Sequence, residues 1–93
     1  MLDSYEKITW NKDKDSWLRQ DRNIGFDNVL EAIGNEGMLD IVFTPNQRDY
    51  PSQKSMVVKI SNYVYYVPFK VLEDELILIT IIPSRKLTKE YLK

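Results

Sequence analysis

The side chains best suited to chemistry gather near the end of the chain, in Ile81-Ile82-Pro83-Ser84-Arg85-Lys86-Leu87-Thr88-Lys89-Glu90-Tyr91. Arg85, Thr88 and Lys89 are spaced so that a helix sets them along one side. Arginine and lysine in that arrangement bind phosphates, and the Thr88 hydroxyl adds a further donor. The plainer use of such bases is to complement the dipole at a helix C-terminus. A second group is aromatic: Tyr63, Tyr65 and Tyr66 on one predicted strand, with Tyr50 in a loop. Tyrosines beside bases stack nucleobases. They also serve as ordinary strand residues with a wet hydroxyl end. The third group is Arg48, Asp49, Tyr50 and Lys54 in the stretch Thr44–Lys54, which either clamps a single strand or is simply a solvated loop.

Other chemistries are closed off. Histidine and cysteine are both absent. That excludes a serine–histidine triad, imidazole acid–base catalysis, disulfides, thiolate chemistry and His- or Cys-ligated metal. The carboxylate groups Asp13/Asp15 and Glu73/Asp74/Glu75 fall on a solvated helix face and in a turn, and neither reads as a metal site. No P-loop, GxGxxG or nucleophile elbow is present, and no cofactor is expected. Lys, Arg, Tyr, Asp, Glu, Ser and Thr remain to carry any reaction.

These groups must be positioned by a chain of 93 residues, read as one domain over 1–93. With 43% hydrophobic and 29% charged residues the composition is globular. A chain this short needs nearly all its apolar residues in one core. The longest apolar stretch, Leu76 to Ile82, is far below the roughly 20 residues that cross a bilayer. Met1–Glu6 is acidic and lacks the apolar core of a signal peptide. A soluble, cytoplasmic protein without a membrane partner is expected. The net charge of −1 is uneven: residues 1–40 hold nine acids and five bases, residues 41–93 eight bases and five acids. Such polarity is either a partner-binding feature or chance.

The pattern predicts the elements in order. Ile8-Thr9-Trp10 is a short extended lead-in, and Asn11 caps a helix over Lys12–Arg22. Trp10, Trp17 and Leu18 offer that helix one narrow apolar stripe. Phe26, Val29, Leu30 and Ile33 mark a second helix, bounded by Gly25 and by Gly34 with Gly37. Leu39–Phe43 is a strand. After the polar loop, Ser55–Ile60 alternates, Ser61-Asn62 turns, and Tyr63–Phe69 returns, with Pro68 marking a bulge or strand end. Glu73-Asp74 turns into Glu75–Ile82, apolar on both faces and so central or covered by helices, and Pro83-Ser84 stops the sheet. Ser84 caps a final short helix with Leu87, Tyr91 and Leu92 on one face. The expected fold is α+β: two N-terminal helices, a four-stranded antiparallel sheet with helices on one face, and a short C-terminal helix.

Three stretches carry a family resemblance. Ile8-Thr9-Trp10-Asn11-Lys12-Asp13-Lys14 resembles the opening of the BrnT-type toxins, a branch of the RelE-like toxins of bacterial type II toxin–antitoxin systems. Ile24-Gly25-Phe26-Asp27-Asn28-Val29 is loosely similar to the start of that family's second helix. Ile81 to Glu90 is similar to its ending, I-I-S-A-R-K-A-T-x-x-E. The resemblance spans nearly the whole chain. It implies a RelE-like ribonuclease that cleaves mRNA and is neutralised by a cognate antitoxin, often a ribbon–helix–helix protein. The pair would repress its own operon, touching operator DNA through the antitoxin. Position by position, Arg85, Lys86 and Thr88 match the family's ending, and Lys54 stands where a strand-opening Arg is usual. Leu78, Thr80 and Tyr63 stand where the family commonly has bases, and a histidine usual before the first glycine is missing.

RNA cleavage without histidine is chemically sound. The ribose 2′ hydroxyl attacks its own phosphate, so the protein need only orient it, stabilise charge and move a proton. On this reading Arg85 and Lys54 bind the scissile phosphate, and Lys86 or Lys89 stabilises charge. Tyr50, Tyr63 or Tyr91 transfers the proton or stacks a base, and Arg48 and Thr88 bind the strand. The mRNA would be met free or on the ribosome. The departures at Leu78, Tyr63 and Thr80 motivate the alternative, a non-catalytic module of the same fold that only binds an antitoxin-like partner. A repressor acting alone is disfavoured, because the last helix is short and the net charge low.

Overall fold

The computed structural model describes residues 7–44, 47–48 and 53–92. Its elements run β1 (Lys7–Trp10), α1 (Lys12–Arg22), α2 (Phe26–Gly34), β2 (Met38–Phe43), β3 (Lys54–Ile60), β4 (Tyr63–Leu72), β5 (Glu75–Leu78), β6 (Ile82–Pro83) and α3 (Arg85–Tyr91). The Asn11 side chain accepts from the Lys14 N–H at 2.9 Å, so the expected cap starts α1. Asn23, in the left-handed region at φ 56°, ends it. Ser61 and Asn62 both take positive φ in the two-residue turn joining β3 to β4, where such turns require it.

The sheet corrects the expected RelE-like, four-stranded antiparallel arrangement. It has six strands in the order β1-β5-β4-β3-β2, with β6 also paired to β4. It is mixed, because β1 runs parallel to β5, from Lys7 opposite Glu75 to Trp10 opposite Leu78. What reads locally as an extended lead-in is thus an edge strand whose partner lies most of a chain away. β6 is the second addition: Pro83 does not stop the sheet but sits in it, opposite Tyr65.

The strand expected over Glu75–Ile82 is broken, and Pro68 stands at the break. β5 ends with Leu78 opposite Phe69, and β6 resumes with Ile82 opposite Tyr66. One extra residue has entered on the β5–β6 side, which is a bulge. Pro68 has no N–H to offer that side, while its carbonyl still accepts from the Ile79 N–H at 2.8 Å. β4 itself runs through Pro68 unbroken to Leu72.

Helices cover both faces, not one. Met56, Val58, Val67, Leu76 and Leu78 are buried against Leu18 of α1 and Phe26 and Val29 of α2. Trp10 stacks on Phe26, ring centroids 5.7 Å apart. Val57 and Val64 point the opposite way and are buried with Leu87 of α3. The alternation of the strands therefore feeds two cores of unequal size.

Carboxylates tie elements together at several points. Asp15 of α1 accepts from the Phe26 N–H at 2.8 Å and from Arg19 Nε at 3.0 Å, and Arg19 also reaches Asp27. Gly25 makes room for this, because a β-carbon there would meet the Arg19 guanidinium. Burial alone would raise the Asp15 pKa, but the Phe26 N–H and Arg19 outweigh it and hold the carboxyl below its ordinary value. On β2, Asp40 accepts from the Ile41 N–H at 2.8 Å and from the Tyr91 hydroxyl at 3.3 Å. Among the described residues no helix is long and apolar enough to cross a membrane.

Candidate functional site

The C-terminal segment is the best-anchored set of candidates. Ser84 Oγ accepts from the Leu87 N–H at 3.1 Å, the cap its position predicts. The Ser84 N–H donates to the Val64 carbonyl at 3.0 Å. Thr88 Oγ1 donates to the Ser84 carbonyl at 2.7 Å and accepts from the Val64 N–H at 2.9 Å. With Leu87 buried, α3 is locked on β4 through side chain and backbone alike. Thr88 is thus a structural pin whose hydroxyl is already engaged, not a free donor for a strand. Around it Arg85, Lys86 and Lys89 are exposed, and none joins an ion pair among the described residues.

The tyrosines divide between the two faces. Tyr63 and Tyr65 lie together on the α1–α2 side, ring centroids 5.4 Å apart. Tyr66 faces α3. Burial pushes the Tyr65 and Tyr66 hydroxyls up, helped by Tyr63 in the first case and Glu90 in the second. Tyr91 is also raised, by burial first and then by Asp40. Raised hydroxyls stay protonated at neutral pH, so Tyr91 acts as a donor and is unsuited to be a base.

The candidate catalytic residues do not all meet. Ser84 bonds Val64, so Arg85 and Lys86 stand at the end of the sheet where Tyr63 begins β4. Lys54 begins β3 opposite Phe69, at the other end. The strand between Tyr63 and Phe69 spans about 20 Å at the usual rise per residue. Lys54 instead holds its ammonium 5.7 Å from the ring of Phe43. Arg48 is exposed in the β2–β3 connection, and Tyr50 lies outside the described residues. An open cleft of about 330 Å³ lies between the end of α2 and the β3–β4 turn. Its lining includes Glu31 and Glu36 against the single base Lys59, which disfavours phosphate there.

One feature escaped the sequence reading. Trp17, expected on the apolar stripe of α1, is 44% exposed, while its neighbour Leu18 is fully buried. Lys14 Nζ sits 4.5 Å and Arg22 Cζ 5.3 Å from the Trp17 ring centroid. Lys14 lies one helical turn before Trp17, and that spacing was the available signal. Compared with family models, curated proteins and solved structures, the chain has no match.

Proposed function

We propose that the chain is a BrnT-type toxin of a type II toxin–antitoxin system, a metal-independent ribonuclease acting on mRNA in the cytoplasm. The observation that carries this reading is the capped, doubly pinned α3, which presents Arg85, Lys86 and Lys89 beside the start of β4, exposed and without an ion pair among the described residues. The three stretches that resemble the family support it by where they fall: across β1 and the start of α1, at the start of α2, and over β6 and α3. A surface of fixed cations suits a reaction that needs orientation and charge stabilisation more than a strong base.

In this mechanism Arg85 holds the scissile phosphate and Lys86 meets the charge that develops on it. The 2′ oxygen passes its proton to a solvent water and attacks the phosphorus, and the bond to the 5′ oxygen breaks. The leaving oxygen takes a proton, for which Tyr91 on α3 is the candidate on this side of the sheet, because Tyr63 lies on the α1–α2 side. Lys54 has no part at this phosphate, because it stands at the opposite end of β3. The antitoxin, of the ribbon–helix–helix kind in many such pairs, neutralises the toxin by covering the α3 cations and brings the pair to operator DNA.

Induction of the chain alone in a bacterial host tests this. Growth arrest with new RNA ends, relieved by Arg85→Ala and by Lys86→Ala at equal soluble expression, is the expected result. The separation of Lys54 from Arg85 favours a second reading, a non-catalytic module that only binds an antitoxin-like partner. Normal growth with intact RNA at good soluble expression would select that reading and end the ribonuclease proposal.

A further inference from the structure

The exposed Trp17 is not isolated from the α3 surface. Arg22, which lies against its ring, donates through Nη1 to the Ile81 carbonyl. The next residue, Ile82, is 38% exposed in β6, and Arg85 follows after Pro83 and Ser84. Arg85 is only four residues beyond Ile81, at most about 14 Å of chain, so Arg22 stands at the edge of the sheet where the α1 face meets α3. The geometry points to Trp17, between Lys14 and Arg22, as a stacking subsite for one base of a single-stranded RNA whose phosphates pass over Arg85. This deepens the proposed function and rests on α3 being the RNA surface.

The residue types fit that occupant. An indole held at a helix surface offers a sequence-tolerant face to any base. Lys14 is a long side chain that can leave the ring for a flanking phosphate, while Arg22 stays tied to the Ile81 carbonyl. Two acids lie near, Asp13 one turn before Trp17 and Asp21, 3.7 Å from Arg22 Nε. Asp21 partly neutralises Arg22, so Lys14 carries more of the strand contact. The other tryptophan, Trp10, is packed on Phe26, which makes Trp17 separately observable.

The test is a titration of the full-length Trp10→Phe variant with a ten-nucleotide oligouridylate, following Trp17 fluorescence. Saturable quenching is expected, and Trp17→Ala should weaken binding about tenfold while Trp17→Phe recovers part of it. An abasic strand of the same length should bind about as weakly to the parent as the full oligonucleotide binds to Trp17→Ala. If Arg85→Ala weakens binding but Trp17→Ala does not, the subsite is wrong and the α3 surface stands. If Trp17→Ala weakens binding and Arg85→Ala does not, the strand takes another path and the reading of α3 fails. Quenching by polyglutamate, with none by the oligonucleotide, would assign Trp17 to an acidic protein partner and overturn the inference.

Discussion

The two faces of the sheet are built differently. On one, α1 and α2 bury large side chains, with Leu18, Phe26, Met56, Leu76 and Leu78 almost wholly out of solvent. On the other, α3 buries a small cluster of Val57, Val64 and Leu87 and depends on hydrogen bonds from Ser84 and Thr88. The first face supplies most of the hydrophobic stabilisation. The second holds a short helix in one place with few apolar atoms, leaving its outward cations free to meet a ligand. Most of the burial thus lies with α1 and α2, and the exposed cations of the proposed phosphate site lie with α3.

The largest effect expected from that division is on the α1–α2 side. Phe26→Ala should cost about 3–5 kcal/mol by urea unfolding. A domain of this size has only about 5–14 kcal/mol in total, so activity would fall with the folded fraction. On the opposite face Thr88→Val should cost about 1–2 kcal/mol, because it leaves the Val64 N–H without its acceptor. Its sharper signature is expected in hydrogen exchange, with α3 amides losing protection while those of α2 keep theirs. Equal loss on both helices would break the comparison.

The smallest effect depends on pH. The folded Asp15 pKa is depressed, so its contribution is present above the ordinary value near 3.8 and disappears as pH falls through the lower folded value. Asp15→Asn should be about 1 kcal/mol less stable than the parent at neutral pH, comparable to a lost helix cap. The two unfolding midpoints should converge as the pH drops below about 3.8. A gap that stayed constant would show that the carboxylate charge has no part in joining α1 to α2.

Much of the fold was legible where the signal is local. The stripe of α2, the caps Asn11 and Ser84 and the turn Ser61-Asn62 all follow from a few adjacent residues and are found. The exception is Leu30, expected on the stripe with Phe26, Val29 and Ile33, which is outside both cores. What was not legible depends on distant partners. β1 becomes a strand only because β5 offers it an edge, and the parallel pairing leaves no turn to announce it. Trp17 and Leu18 are adjacent and both apolar, and only the packing of α1 decides which one is buried. For the site, the cations of α3 were readable as a cluster. The position of Lys54 was not, because strand register sets it.

Asp40 has a consequence for how this molecule meets others. β2 is an edge strand of largely apolar sequence, the kind of edge that recruits a second chain by extending its ladder. The Thr44 N–H bonds the Gln53 carbonyl, and pairs alternate along the ladder, so the Ile41 N–H points away from β3. The Asp40 carboxylate occupies that donor and adds a negative charge beside it, while the Tyr91 hydroxyl keeps the carboxylate in place. An incoming strand would have to displace the carboxylate and bury it. The helix that presents the cations therefore also helps guard the sheet against self-association.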